Sequence, residues 1–325
     1  MRWSIPKPIY YYSAGVTIVG SGYLLKDYLS GTKYSGEEKL DDKVVIVTGS
    51  NTGIGKEVVR DLARRGAKVL MACRDMEKCE IARREIVVDS RNKYIYCRKC
   101  DLASQQSIRD FVDQFKKEFN NLHILINNAG VMRCPKSYTK EGIEMQLGVN
   151  HMGHFLLTNL LLDVLKESAP SKIINVTSTA HKRGHIKLKD LNSEENYEPG
   201  DAYAQSKLAN ILFTRELANK LKGTGVTVNA VHPGIVRTEI MRHMGIYQST
   251  MGRIIVDALT WIFIKTPVKG AQPILHVALD PSVKDVTGAY FDNCKMSDVS
   301  EEAKNDDIAK WLWEVSTRWT KPNSV

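Results

Sequence analysis

The chain has 325 residues, 43% of them hydrophobic and 26% charged, which is enough apolar material for one large α/β domain or two small ones. Its net charge of +9 and pI of about 9.1 favour anionic partners: nucleic acid, anionic lipid or a phosphorylated cofactor. The basic residues are scattered, with no block of them interleaved with aromatics, so nucleic acid ranks last and is not expected as a partner.

Ile9 to Leu25 (IYYYSAGVTIVGSGYLL) is 17 residues without a charge. That is the short edge of what can cross a bilayer, and its tyrosines and glycines weaken it further. A cleaved signal peptide and a loosely ordered apolar tail are the alternatives. The preferred reading is a membrane anchor with its linker over 1–40, the polar run 30–42 leading into the domain.

From Lys43 onward, short β-branched runs alternate with helical stretches, the pattern of βαβ units on a parallel sheet. Strands are expected at Val44–Thr48, Lys68–Ala72, Tyr94–Cys97, Leu122–Asn127, Lys172–Thr177, Val226–Val231 and, more weakly, Val286–Phe291. Helices are expected to include Gly55–Arg65, Ser104–Phe119, Asn150–Glu167 and Tyr203–Leu221. The apolar runs are mostly continuous, as in strands buried on both faces. One α/β domain with a doubly wound (Rossmann) parallel sheet of seven strands therefore occupies 41–295. A helical tail follows over 296–325, where Trp311, Trp313 and Trp319 are expected to pack.

The first strand runs into Gly49-Ser50-Asn51-Thr52-Gly53-Ile54-Gly55 and then a helix. A strand, a glycine-rich turn and a helix N-terminus form an anion site, because unpaired N–H groups and the helix dipole point at the ligand. The spacing is G-x-x-x-G-x-G, which differs from the G-x-G-x-x-G fingerprint, and a plain tight turn is the alternative. The second strand ends in Arg74, where an acid would accept bonds from a ribose and an arginine would welcome a 2′-phosphate. Lys56, just after the turn, adds to the positive charge, so NADP is favoured over NAD; a solvated strand-end arginine is the alternative. Cys97 and Cys100 have metal-like spacing, but no second pair follows at zinc-ribbon distance, and an offset of three on a strand puts them on opposite faces. No metal and no disulfide framework are expected among the six cysteines.

Tyr203 and Lys207 lie one helical turn apart on one face. An ammonium beside a phenol favours the phenolate and lowers a pKa of about 10 toward working pH, which would suit an acid/base device. Taken alone, the spacing also fits an ordinary amphipathic helix.

Gly49–Gly55, Asn127-Asn128-Ala129-Gly130, Asn150, Ser178, Tyr203 with Lys207, and His232-Pro233-Gly234 occur in an order that resembles the short-chain dehydrogenases/reductases over about 43–295. Ala72-Cys73-Arg74-Asp75, Asn150-His151-Met152-Gly153-His154-Phe155 and the insertion between Ser178 and Tyr203 are similar to the retinol dehydrogenase 11–14 group of that family. The resemblance implies a catalytic set of Asn150, Ser178, Tyr203 and Lys207. It implies cofactor contacts from Gly49, Ser50, Asn51, Thr52, Gly53, Ile54, Gly55, Arg74, Asp101, Asn128, Ala129, Gly130, Tyr203, Lys207, Pro233, Gly234, Val236 and Thr238. Asp101 would touch the adenine, and Pro233, Gly234, Val236 and Thr238 would surround the nicotinamide. Ser178, competing with the neighbouring hydroxyls of Thr177 and Thr179, would polarise a substrate carbonyl, Tyr203 would deliver its proton, and Asn150 would hold a relay water.

The implied activity is NADP(H)-dependent interconversion of retinal and retinol, reduction favoured. The alternatives are reduction of other lipid aldehydes or steroids, or a non-catalytic NADP(H)-sensing membrane adaptor. The implied setting is the mitochondrial inner membrane or the endoplasmic reticulum, with a retinoid-like substrate, membrane attachment through the N-terminal segment, and a homodimer compatible with the pattern. The apolar run Ile254–Ile264 reads as a substrate-loop helix, a membrane-dipping face or plain core.

Overall fold

The computed structural model describes residues 31–243 and 264–321, together with a few positions between 16 and 26. Most of the apolar stretch 9–25, and all of the run 254–264 except Ile264, fall outside these residues. Among the described residues no helix is long and apolar enough to cross a membrane.

Strands β1 (Val44–Thr48), β2 (Lys68–Cys73), β3 (Ile95–Lys99), β4 (Ile124–Asn127), β5 (Ser171–Val176), β6 (Val226–His232), β7 (Tyr290–Asp292) and β8 (Lys295–Met296) form one sheet in the order 3-2-1-4-5-6-7-8. Every pairing is parallel except β7 with β8, which are antiparallel. The expected seven-stranded parallel sheet is therefore present, and the eighth strand is a two-residue return after Asn293, where left-handed backbone at Asn293 and Cys294 turns the chain.

Side chains alternate across the strands, so each continuous apolar run feeds two cores. Val45, Val47, Val69 and Met71 meet α1 (Gly53–Arg64), α2 (Met76–Ser90) and α6 (Pro267–Leu279) on one face. Val44, Ile46, Leu70 and Leu125 meet α3 (Gln105–Glu118), α4 (Gly153–Glu167) and part of α5 (Pro199–Lys220) on the other. The C-terminal helix α7 (Asp306–Trp319) lies against α5, with Trp313 packed on Phe213 and edge-on to Phe155. The expected packing role of Trp313 is thus visible. Cys97 and Cys100 do sit in opposite cores, as their offset requires.

The expectation of no disulfide is corrected. Cys79 on α2 and Cys97 on β3 are bonded, with their Cα atoms 6.0 Å apart. Both side chains point into the same core layer because α2 packs back on β3, a proximity that only the helix–sheet packing creates. The polar run expected as a linker also has structure. Tyr34 is buried, its N–H bonds to Gln272 Oε1 at 3.0 Å, and its ring lies under the Arg65 guanidinium.

Candidate active site

β1 ends at Thr48, and the glycine turn bends the chain into α1. Gly49 and Gly53 have φ of +60° and +57°, where side chains are disfavoured, and a Cβ on Gly49 would lie 2.8 Å from Ala129. The Ncap of α1, Thr52, makes no side-chain cap, and no acid stands in the first turn. The first N–H groups of a three-turn helix therefore face the cleft without an internal partner, which suits a phosphate.

The cleft is about 240 Å³, and the turn residues Gly49, Asn51, Thr52, Gly53, Ile54 and Gly55 line it. Arg74, Asp101, Asn128, Ala129, Gly130 and Thr238 complete most of the expected set in the same walls. Ser50 does not join them. Its hydroxyl is buried and donates to Val47 O at 3.0 Å, holding the turn from beneath. Lys56 is likewise turned away into an ion pair with Glu85, which corrects the expectation that it adds charge for a phosphate. Lys78 lines the cleft instead, one turn after Arg74. A lysine four positions past a strand-end arginine was the signal available in the sequence. Asp75, adjacent to Arg74, is the Ncap of α2 and accepts from Lys78 N at 3.0 Å. A helix cap is what that carboxylate does here.

Pro233, Gly234 and Val236 are not in the walls of this cleft. Gly234 has φ of +89° and turns the chain against the Lys265 side chain, while Val236 bridges to Lys265 and packs over Gly270. Of the four residues expected here only Thr238 reaches the cleft, against Gly53, and Glu239, Ile240 and Arg242 after it line the same wall.

The four expected catalytic residues gather behind Gly130. A methyl group at Gly130 would lie 3.2 Å from Asn150 Oδ1 and 3.7 Å from Lys207 Nζ, so it would press on the Asn150 carboxamide by a few tenths of an ångström. α5 begins at Pro199, four residues before the expected start, because Glu198 caps it by accepting from Asp201 N at 2.7 Å. From Ala202 to Ala218 nearly every residue of α5 is buried, so Tyr203 and Lys207 lie on an enclosed helix and not on an amphipathic surface.

Lys207 Nζ donates to Val176 O at 3.1 Å and lies 5.7 Å from the centre of the Tyr203 ring. Burial lowers the Lys207 pKa to about 8. Burial also pushes the Tyr203 phenol up to about 12, opposed by its hydrogen bond with Ser178 and by the charge of Arg183. The expected lowering by Lys207 is therefore corrected: desolvation of the enclosed phenol sets the direction, the opposing influences come from Ser178 and Arg183, and the neutral phenol is favoured.

The competition among hydroxyls at the end of β5 is decided by geometry. Thr177 Oγ1 donates to Lys207 O at 2.8 Å and so anchors α5, and Thr179 is exposed. Ser178 is half-buried, and its oxygen accepts from Ala180 N at 3.2 Å. Asn150 lies in a single π turn, Gly148–Met152. Its carboxamide accepts from Val131 N at 2.8 Å and donates to Val131 O and to Ser206 Oγ, each at 2.9 Å. Ser206 in turn donates to Tyr203 O at 2.7 Å. Ser206 was not singled out from sequence; it ties Asn150 to the tyrosine's helix through the backbone.

No cluster of three or more His, Cys, Asp or Glu residues able to hold a metal occurs among the described residues. Asn150, Ser178, Tyr203 and Lys207 are not in the cleft walls themselves. Gly130 is in the wall, with Asn150 and Lys207 directly behind it and Tyr203 hydrogen-bonded to Ser178, so the arrangement can bind an anionic cofactor and move a proton next to it.

A sequence model of the family described as short chain dehydrogenase matches residues 43–246. Human (Homo sapiens) retinol dehydrogenase 13 is 50% identical over 307 residues, covering 94% of this chain and 93% of that protein. Human retinol dehydrogenase 12 is 50% identical over 292 residues, covering 90% of each. A solved structure of an uncharacterised protein from Mycobacterium paratuberculosis superposes with a TM-score of 0.72 at 33% identity, over 89% of this chain and 98% of that one. The Pseudomonas aeruginosa RhlG/NADP active-site complex gives 0.63 at 26% identity, over 78% and 95%. The chain belongs to the short-chain dehydrogenase family, within the retinol dehydrogenase group, and is an oxidoreductase that uses a nicotinamide cofactor.

Proposed function

We propose that the protein reduces all-trans-retinal to retinol with NADPH, and runs the reverse reaction when the cofactor is oxidised. The observation that carries the reading is that the glycine-turn cleft and the Ser178, Tyr203 and Lys207 group meet across Gly130, in a chain half identical to retinol dehydrogenases. NADP is favoured by Arg74 and Lys78 standing together in the cleft wall beyond β2.

Gly49–Gly55 and the N-terminus of α1 would hold the pyrophosphate, Arg74 the 2′-phosphate, Asp101 the adenine, and Asn128, Ala129 and Gly130 the floor. A nicotinamide bound at the inner end supplies the hydride. As negative charge develops on the carbonyl oxygen, Ser178 and Tyr203 donate to it, a two-donor oxyanion arrangement. Tyr203 gives up its proton there, and the Lys207 ammonium stabilises the phenolate left behind. A neutral phenol is the form that reduction requires, and burial favours that form.

A panel of retinoid, steroid and fatty aldehydes, each with NADPH and NADH, tests the reading through kcat/KM. The highest value is expected for all-trans-retinal with NADPH. A higher value for a steroid or fatty aldehyde would replace the substrate, and no turnover of any aldehyde would favour a cofactor-sensing role.

The buried lysine predicts a pH limb. Reduction needs the ammonium, so kcat/KM is expected to fall as pH rises through about 8. Lys207→Arg, whose charge does not titrate in this range, should have low activity without that limb. Stability moves oppositely: a lysine with a folded pKa below its unfolded value of about 10.4 costs stability at low pH, and the cost is relieved as pH rises from about 8 to 10.4. A pH–rate profile of both proteins checks the first expectation and denaturation at pH 8 and 10 the second.

Membrane attachment through 9–25 is part of the same proposal. Because Thr32 N bonds to Asn293 Oδ1 and Tyr34 docks on the domain, removal of residues 1–30 leaves these contacts in place. The truncated protein is expected in the soluble fraction after fractionation; unchanged membrane association would point to 254–264.

A further inference from the structure

His154, in the first turn of α4, lies between the cofactor groove and the proton-transfer group and is only 2% exposed. Its Nδ1 is 3.0 Å from Asn150 O, and its Nε2 is 2.9 Å from Thr48 Oγ1. A backbone carbonyl can only accept, so Nδ1 carries the ring proton and Nε2 must accept. The Thr48 hydroxyl therefore donates to Nε2, and its lone pairs accept from Asn128 N at 2.9 Å and Ala129 N at 3.0 Å. The competing acceptor, Ile126 O, is farther from that hydroxyl at 3.5 Å.

Every donor and acceptor in this chain of contacts is matched, with one assignment of protons. Burial lowers the His154 pKa to about 4; the nearby Lys207 charge acts in the same direction and the Asn150 carbonyl against it. The imidazole is thus neutral and holds this tautomer at neutral pH. At one end, Thr48 fixes the Asn128 and Ala129 backbone at the groove floor. At the other, the Asn150 carbonyl belongs to the π turn in which Gly153 N reaches back to Gly148 O, and that turn aims the Asn150 carboxamide at Val131 and Ser206.

We propose that His154 is a positioning residue that couples the cofactor floor, through Thr48, to the support of the proton donor, through Asn150, Ser206 and Tyr203. It touches neither substrate nor cofactor, and it rests on the reading of the groove and tyrosine given above. No other described side chain bonds both to β1 and to the π turn. The two ring nitrogens serve different ends of the site, so they can be separated by substitution.

His154→Asn keeps an N–H near the Nδ1 position and loses the acceptor for Thr48. His154→Gln places a carboxamide near Nε2 and loses the donor to Asn150. In the full-length protein, the Asn variant is expected to raise the NADPH Kd about tenfold, more than it lowers kcat, on the scale of one hydrogen bond. The Gln variant is expected to lower kcat for all-trans-retinal about tenfold, more than it raises the Kd. Fluorescence titration with NADPH and steady-state turnover read the two arms. Equal changes in both constants for both variants, as from general loosening, would overturn the proposal, and so would no change in either.

Nitrogen-15 histidine NMR of the unsubstituted protein supplies a test that needs no variant to fold. The His154 ring should show a protonated Nδ1 and no titration between about pH 5 and 8; a protonated Nε2 or a titrating ring would overturn the proposal. Should the unsubstituted protein fail to reduce retinal, the proposed substrate is wrong, while the NADPH Kd and the NMR spectrum still decide the role of His154.

Discussion

Tyr203→Phe is expected to lower kcat about a thousandfold, the scale of a lost general acid, while the NADPH Kd stays within a few-fold. The expectation comes from what the substitution leaves alone. The phenol is 7% exposed in a fitted pocket, and phenylalanine fills the same volume without its hydroxyl. Ser206 Oγ bonds the Tyr203 carbonyl, not its side chain, and Thr177 holds Lys207 O, so α5 keeps its anchors. Lys207 Nζ keeps its bond to Val176 O. Single-turnover reduction of all-trans-retinal and NADPH titration measure the two quantities. Normal turnover would end the mechanistic account, and a lost NADPH affinity would mean that the helix had moved.

Arg74→Ala is expected to weaken NADPH by roughly 1–3 kcal/mol, the worth of a charge-assisted hydrogen bond, and to leave NADH almost unchanged. Arg74 is exposed at the end of β2, so screening should bring the loss toward the lower figure in physiological salt. Lys78, in the same wall, should retain part of the preference in the Arg74 variant. Titrations with both cofactors at low and physiological salt check this. Equal losses for NADPH and NADH would show that Arg74 supports the fold of the turn and does not read the 2′-phosphate.

Much of this was legible in the chain. The continuous β-branched runs located β1, β2, β5 and β6 to within a residue or so, because a strand buried on both faces has no polar alternation to mislead the reading. The glycine turn was legible because glycines with positive φ at Gly49 and Gly53 stand between a β-branched run and a helical stretch. Boundaries set by capping were harder. The start of α5 depends on Glu198 and Pro199, which lie within a polar insertion that gives no periodic signal.

What the sequence by itself determined is local: the strand–turn–helix anion site, the order of the motifs, and the types of residue that carry acid/base chemistry. Those properties depend on neighbours along the chain. Tertiary structure decided everything that depends on which groups share an enclosed space. It joined Cys79 to Cys97, turned Lys56 away to Glu85, and placed Lys78 beside Arg74. It gave Thr177 to the backbone and left Ser178 with Tyr203. It also reversed the expected direction of the Tyr203 pKa, because spacing along a helix reveals a nearby charge but not the burial that sets the direction.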